Sequence, residues 1–161
     1  MGEYSQKYTI VSFVDTVPEG TVFHYSDWPQ HVTIVDTFAC DLDAIMGIKE
    51  IGDATSPIEI AGDEHRVFND LARDIPVTIM TRSTEITELH EALLDYLLGK
   101  GAVLNSPEYS LRGFLPHTAA KENSKIGIGT KVMLTSISIV DMFVDSDWQK
   151  RKVLKTFDFI H

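Results

Sequence analysis

"DWPQHVTIVDTF", residues 27–38, sets Val32, Ile34, Val35 and Phe38 among His31, Thr33 and Thr37. The β-branched and aromatic content reads as a strand over 31–38. Side chains of a strand alternate between its two faces, so His31 and Thr33 leave on the same side. Val32, Ile34 and Phe38 take the other side, which suits a core. A ring nitrogen and a hydroxyl therefore point together away from that core. They meet either a wet outer face or one half of an active site.

A length of 161 residues suits one domain, 1–161, with enough chain to bury a sizeable core. Apolar residues make up 43% and charged residues 24%, the balance of an ordinary globule. No apolar run approaches the roughly 20 residues of a membrane span, so no membrane partner is expected. "MGEYSQKYTI" (1–10) lacks a basic region followed by an apolar one, and Gln6 stands where a myristoylation pattern needs Ser or Thr. The single Cys40 excludes an internal disulfide and a thiolate zinc cluster. A cytoplasmic location and a monomer are expected.

The net charge is −10, which argues against a long footprint on duplex DNA. The charge is uneven: residues 1–110 hold 6 Lys/Arg and 19 Asp/Glu, and residues 111–161 hold 8 and 5. An anionic ligand is better received by the last third.

Along the chain, strands are expected at 8–14, 31–38, 75–81, 131–144 and 153–161. Ile58 and Ile60 mark a further strand, with a turn at Gly62-Asp63 near its end. Residues 15–30 read as a long loop. Leu42, Ile45 and Met46 give a helix over 40–51, capped by Asp41. The clearest helix runs from a Ser83 or Thr84 cap, through Ile86, Leu89, Leu93, Tyr96 and Leu97, to Gly99 and Gly101. The pattern is an α+β layout, helices on mostly antiparallel sheet. The approaches to His31 (Trp28-Pro29-Gln30) and His117 (Phe114-Leu115-Pro116) resemble each other and suggest two similar halves.

Two histidines can divide the work of breaking a phosphodiester. One removes a proton from the attacking oxygen and the other protonates the leaving oxygen. An unperturbed imidazole, with its pKa near 6.5, supplies both forms near neutrality. Neighbouring hydroxyls can hold phosphoryl oxygens as charge builds. No metal is needed for this chemistry.

"PQHVTIV" (29–35) and "LPHTAAK" (115–121), with their histidines 86 residues apart, resemble the paired motifs of the 2H phosphoesterase superfamily. The closest likeness is to the 2′-5′ RNA ligase and cyclic phosphodiesterase-like proteins, and it covers the whole chain. The resemblance implies a bilobal, pseudo-twofold α+β fold, with mostly antiparallel sheets around a central cleft and two main helices outside. It implies metal- and ATP-independent opening of 2′,3′-cyclic phosphates or related nucleotide linkages, with no cofactor. The partner implied is a nucleotide or RNA terminus bearing a cyclic phosphate.

By position, His31 and Thr33 match the first motif and His117 matches the histidine of the second. Ala119 stands where the family has its second hydroxyl. Thr118 is adjacent but points to the other face of a regular strand, and only a bulge would bring it round. Lys121 shares the face of His117 in a regular strand and offers phosphate a positive donor instead. Tyr25, Trp28 and Phe114 can stack a base, or else anchor loops at the sheet edge. His24, His65 and His90 read as exposed surface histidines, and "GIGTK" (127–131) as a turn. Two other readings stay open: a nucleotide-binding module without catalysis, and an enzyme acting on a cyclic dinucleotide or an ADP-ribose cyclic phosphate.

Overall fold

The computed structural model describes residues 6–70, 73–120 and 126–160. Its elements are β1 (Tyr8–Phe13), β2 (Val22–His24), β3 (His31–Ala39), α1 (Leu42–Ile45), α2 (Lys49–Asp53), β4 (Ile58–Asp70), β5 (Arg73–Met80), α3 (Thr84–Gly99), β6 (Val103–Leu104), β7 (His117–Ala119), β8 (Lys131–Leu134), β9 (Ser136–Asp141) and β10 (Lys150–Asp158). They form a six-stranded sheet, β2-β10-β9-β1-β3-β6, and a four-stranded sheet, β7-β5-β4-β8. The pairings between these strands are antiparallel.

The central strands are buried on both faces, and each face has its own packing. Tyr8 and Ile10 of β1 join Val32, Ile34 and Phe38 of β3 and Ile137 and Ile139 of β9 in a large core. Ile86, Leu89, Leu93 and Leu97, one stripe of α3, close over it. The alternate residues Val11 and Phe13, with Val140 and Val153, form a smaller cluster on the opposite face, against Phe23 and Trp28. Phe13 pairs with His31 and Val11 with Thr33, so His31 and Thr33 lie on the face turned away from α3.

The loop expected over 15–30 contains β2, which pairs with β10, and three of the expected elements are broken or bent. The helix over 40–51 is interrupted: α1 and α2 are joined by a 3-10 turn at Met46–Ile48, and Asp41 makes no side-chain cap. Gly47 lies in that turn because Tyr96 crosses it, donating its hydroxyl to Ala44 O at 2.8 Å. The strand over 131–144 is two strands in different sheets. Val132 and Leu134 are buried, then Ile137 and Ile139, so the buried phase slips by one residue at Thr135 and the chain changes sheet there. Finally, β4 does not turn at Gly62-Asp63. It bends through an irregularity between Gly62 and Glu64 and leaves β8 for β5.

The bend at Gly62 is built around close backbone approach. Gly62 N donates to Thr130 O at 3.0 Å, and Gly129 N donates to Gly62 O at 2.8 Å. The 127–131 segment is a turn, as read, with Gly129 at φ 81°. A Cβ on Gly62 would overlap the Gly127 carbonyl, so Gly62→Ala must displace backbone. We expect a loss of about 1–3 kcal/mol in urea unfolding. Gly99, where a Cβ would meet nothing within 4 Å, serves as the control.

Among the described residues no helix is long and apolar enough to cross a membrane.

Candidate active-site groove

His31 opens β3, and its ring is fixed before any ligand arrives. Its Nδ1 lies 2.9 Å from Pro29 O, Trp28 lies over it tilted by 33° with ring centroids 4.3 Å apart, and Phe13 approaches edge-on at 6.1 Å. A carbonyl only accepts, so Nδ1 carries the proton and Nε2 is the basic nitrogen of the ring. His117 opens β7 in the same way. Its Nδ1 lies 2.8 Å from Leu115 O, again the carbonyl two residues back, and Phe68 meets the ring edge-on at 5.1 Å. The likeness of the two halves thus extends from sequence to the hydrogen bond that orients each imidazole.

β3 and β7 belong to different sheets but approach each other. Gln30 ties them, donating from Nε2 to Ala119 O at 2.9 Å. A groove of about 740 Å³ is walled by Thr33, Ile34 and Asp36 from β3, Val67 and Phe68 from β4, Ile75 from β5, Gly113–Leu115, and His117. His31 is not one of its walls. It continues the face of Thr33 two residues away, next to the Gln30 tie.

Asp36 was not singled out in the sequence. In a regular strand it would follow Val32 and Ile34 into the core. The β1–β3 register slips twice, between Tyr8 and Ile10 and between Ile10 and Val11, so Ile34 and Val35 are both buried and the phase reverses. Asp36 then lands on the groove side. The carbonyls exposed by this irregularity are taken up: Thr9 Oγ1 donates to Val35 O at 2.8 Å, and His90 Nδ1 donates to Ile34 O at 2.7 Å. Burial pushes the Asp36 carboxyl above the usual value of 3.8; a backbone hydrogen bond from Thr37 and the charge of His117 oppose that, and the like charge of Glu108 adds to it.

That shift fixes the sign of a stability effect. Between the unfolded value of 3.8 and the raised folded one, the native state holds more protons, so stability falls as pH rises through that window. Asp36→Asn removes the cost. We expect a higher thermal midpoint than the parent at pH 7, with the difference closing below about pH 4. A midpoint lower at pH 7 than the parent's would contradict this.

His90 corrects the sequence reading most sharply. It is 1% exposed. Besides bonding Ile34 O, it accepts from Leu111 N at its Nε2 at 3.0 Å and stacks flat on Phe114 at 4.1 Å. Phe114 is thus a groove wall held from behind, itself 4% exposed. Trp28 is on His31. Tyr25 packs on Trp148 at 5.2 Å and is not a groove wall. Thr118 pairs with Thr78, opposite in phase to His117, and is 1% exposed; its Oγ1 makes no hydrogen bond and does not reach the groove. Lys121 lies outside the described residues. His65 belongs to β4, not a turn, with Nε2 3.1 Å from Ile126 O. Among the described residues no three of His, Cys, Asp and Glu are grouped to hold a metal ion.

No protein-family model matches the chain, and no curated protein matches it by sequence. Solved structures do match in three dimensions. A crystal structure of a phosphoesterase superposes with a TM-score of 0.61 at 11% identity, covering 98% of this chain and 99% of that one. LigT of E. coli complexed with 3′-AMP gives 0.60 at 11%, covering 97% and 99%. LigT complexed with phosphate gives 0.59 at 11%, covering 97% and 98%. Over nearly its full length, the chain therefore has the LigT-like fold implied by its resemblance to the 2H phosphoesterase superfamily.

Proposed function

We propose that the chain is a metal-independent phosphodiesterase that opens 2′,3′-cyclic phosphates at a nucleotide or RNA end. The observation that carries this reading is the repeated histidine geometry. Two imidazoles open strands that approach each other, each with Nδ1 donating to the carbonyl two residues back, which makes Nε2 the basic nitrogen of each ring. In the forward step one histidine takes a proton from water as its oxygen attacks phosphorus. The other gives a proton to the 2′ or 3′ oxygen as the P–O bond breaks. Thr33 donates its hydroxyl to a non-bridging phosphoryl oxygen. That LigT is seen with 3′-AMP and with phosphate supports a nucleotide at this site.

The reading is tested by turnover of 2′,3′-cyclic mononucleotides with and without EDTA. We expect product in both cases. Activity lost with the chelator and recovered with zinc or manganese would point to metal chemistry instead.

Ala119 gives the second reading its specific observation. No hydroxyl stands at the position matching Thr33, and Thr118 turns the other way. A missing donor to developing charge can cost roughly 10²–10³ in rate. We expect Ala119→Thr to raise turnover of a cyclic nucleotide measured beside the parent. A parent that is fast and slowed by the change would mean that the site is complete as it stands. A pair that binds nucleotide yet turns none over would mark a binding module.

A further inference from the structure

We propose that the groove beyond the histidines is a base subsite selective for guanine, with Asp36 accepting from the guanine N1–H and N2 amino group. This rests on the reading of the site as one for nucleotide ends and goes further by naming the base.

The groove divides by chemistry. Thr33 and His117 serve the phosphate end in the proposed reaction. Apart from Ile34, whose side chain lies in the main core, and Gly113, the remaining walls are Val67, Phe68, Ile75, Phe114 and Leu115, all apolar, and Asp36. An apolar slot with one convergent charged group suits a flat, mostly apolar ligand that carries a polar edge. An ionised carboxylate offers two acceptor oxygens and no donor. The charge of His117 acts on Asp36, and that of Glu108 acts on it less strongly, so a base held by Asp36 stays close to the phosphate end while the acidic neighbour disfavours a second phosphate there.

Among the bases, guanine alone presents two adjacent donors, N1–H and N2–H, spaced for the two oxygens. Adenine and cytosine each set a ring-nitrogen lone pair beside the amino group, facing the carboxylate. Uracil sets N3–H between two carbonyls. Each of these leaves an acceptor against an acceptor, which a half-buried carboxylate penalises. The position of Asp36 is built into the fold: the irregularity that turns it outward has its carbonyls capped by Thr9 and His90.

The test is equilibrium binding of 3′-GMP, 3′-IMP, 3′-AMP and 3′-UMP to the full chain at pH 7.5 by titration calorimetry. It is run beside kcat/KM for the matching 2′,3′-cyclic nucleotides. A good bidentate pair discriminates by roughly ten- to a hundredfold. We expect 3′-GMP to bind tighter than 3′-AMP by that factor. Inosine, which keeps N1–H and lacks the amino group, should fall between. In Asp36→Asn the gap between guanine and adenine should shrink to within about threefold, since the amide supplies one acceptor and a clashing donor.

Equal affinity for all four in the parent, a preference for another base, inosine equal to guanosine, or a guanine preference that survives in Asp36→Asn would each overturn the assignment. Equal turnover of all four cyclic nucleotides would do so while leaving the phosphodiesterase reading intact. Failure to bind or turn over any of them would overturn both. The inosine comparison uses the parent alone, so it stands even if the variant folds poorly.

Discussion

Replacing His117 by alanine is expected to lower turnover of a 2′,3′-cyclic nucleotide by roughly 10²–10⁴-fold, and His31→Ala should do the same. The two losses should not multiply. Once one proton transfer is missing, the remaining histidine no longer acts on a concerted step, so the double variant should lie close to the worse single one. Folding should change little, because both rings lie on the face of β3 and β7 away from the main core. His→Gln is the sharper probe, since it can keep a donor to Pro29 O or Leu115 O while losing the exchangeable nitrogen. A parent-like rate in either variant, with near-ultraviolet circular dichroism unchanged, would remove that histidine from the chemistry.

The second large effect is on stability. His90→Ala should destabilise by several kcal/mol, because it strands the buried Ile34 O at about 1–3 kcal/mol, removes the acceptor of Leu111 N, which water can replace in part, and takes away the surface on which Phe114 lies, leaving a cavity. The same residue predicts an acid limb. Burial holds the His90 imidazole below its ordinary value of 6.5, although the Ile34 carbonyl and Glu91 pull the other way. The unfolded chain therefore takes up a proton near pH 6.5 that the native state refuses, and stability falls as pH drops from there to the lower native value. In His90→Gln this part of the slope should vanish. An unchanged slope between pH 7 and pH 5 in urea midpoints would count against the locked neutral ring.

The strand at 31–38, the stripe of α3 and the two histidines were legible because each rests on a short-range rule. Period-two alternation sets faces, helical spacing sets the buried stripe, and a proline-histidine approach recurs at His117. What was missed depends on departures from those rules. Asp36 reads as a core-phase residue until Ile34 and Val35 are seen buried together. The run Val32, Ile34, Val35, Phe38 already breaks strict alternation, so the signal for an irregularity was present. His90 sits among Glu88 and Glu91, which suggested a solvated face. It is buried because Phe114 and Leu111 fold over it, and no local pattern carries a contact made 21 residues away. Thr135 shows the same limit: the slip in phase is visible in sequence, but the change of sheet it permits is tertiary.

One large core underlies both sheets. Ile10, Val32 and Ile139 of the six-stranded sheet and Ile58, Ile60, Met80 and Leu134 of the four-stranded sheet belong to a single continuous cluster. The two sheets that wall the groove are therefore parts of one packed block, without a separate apolar joint on which to swing. To part them would be to open the same packing that keeps the chain folded, so local gaping and global unfolding share one barrier. A ligand seated between them should find its contacts already in place and give up little of its binding energy to moving the protein. It should also protect β1 and β9, further into the six-stranded sheet, from amide exchange as strongly as the strands it touches.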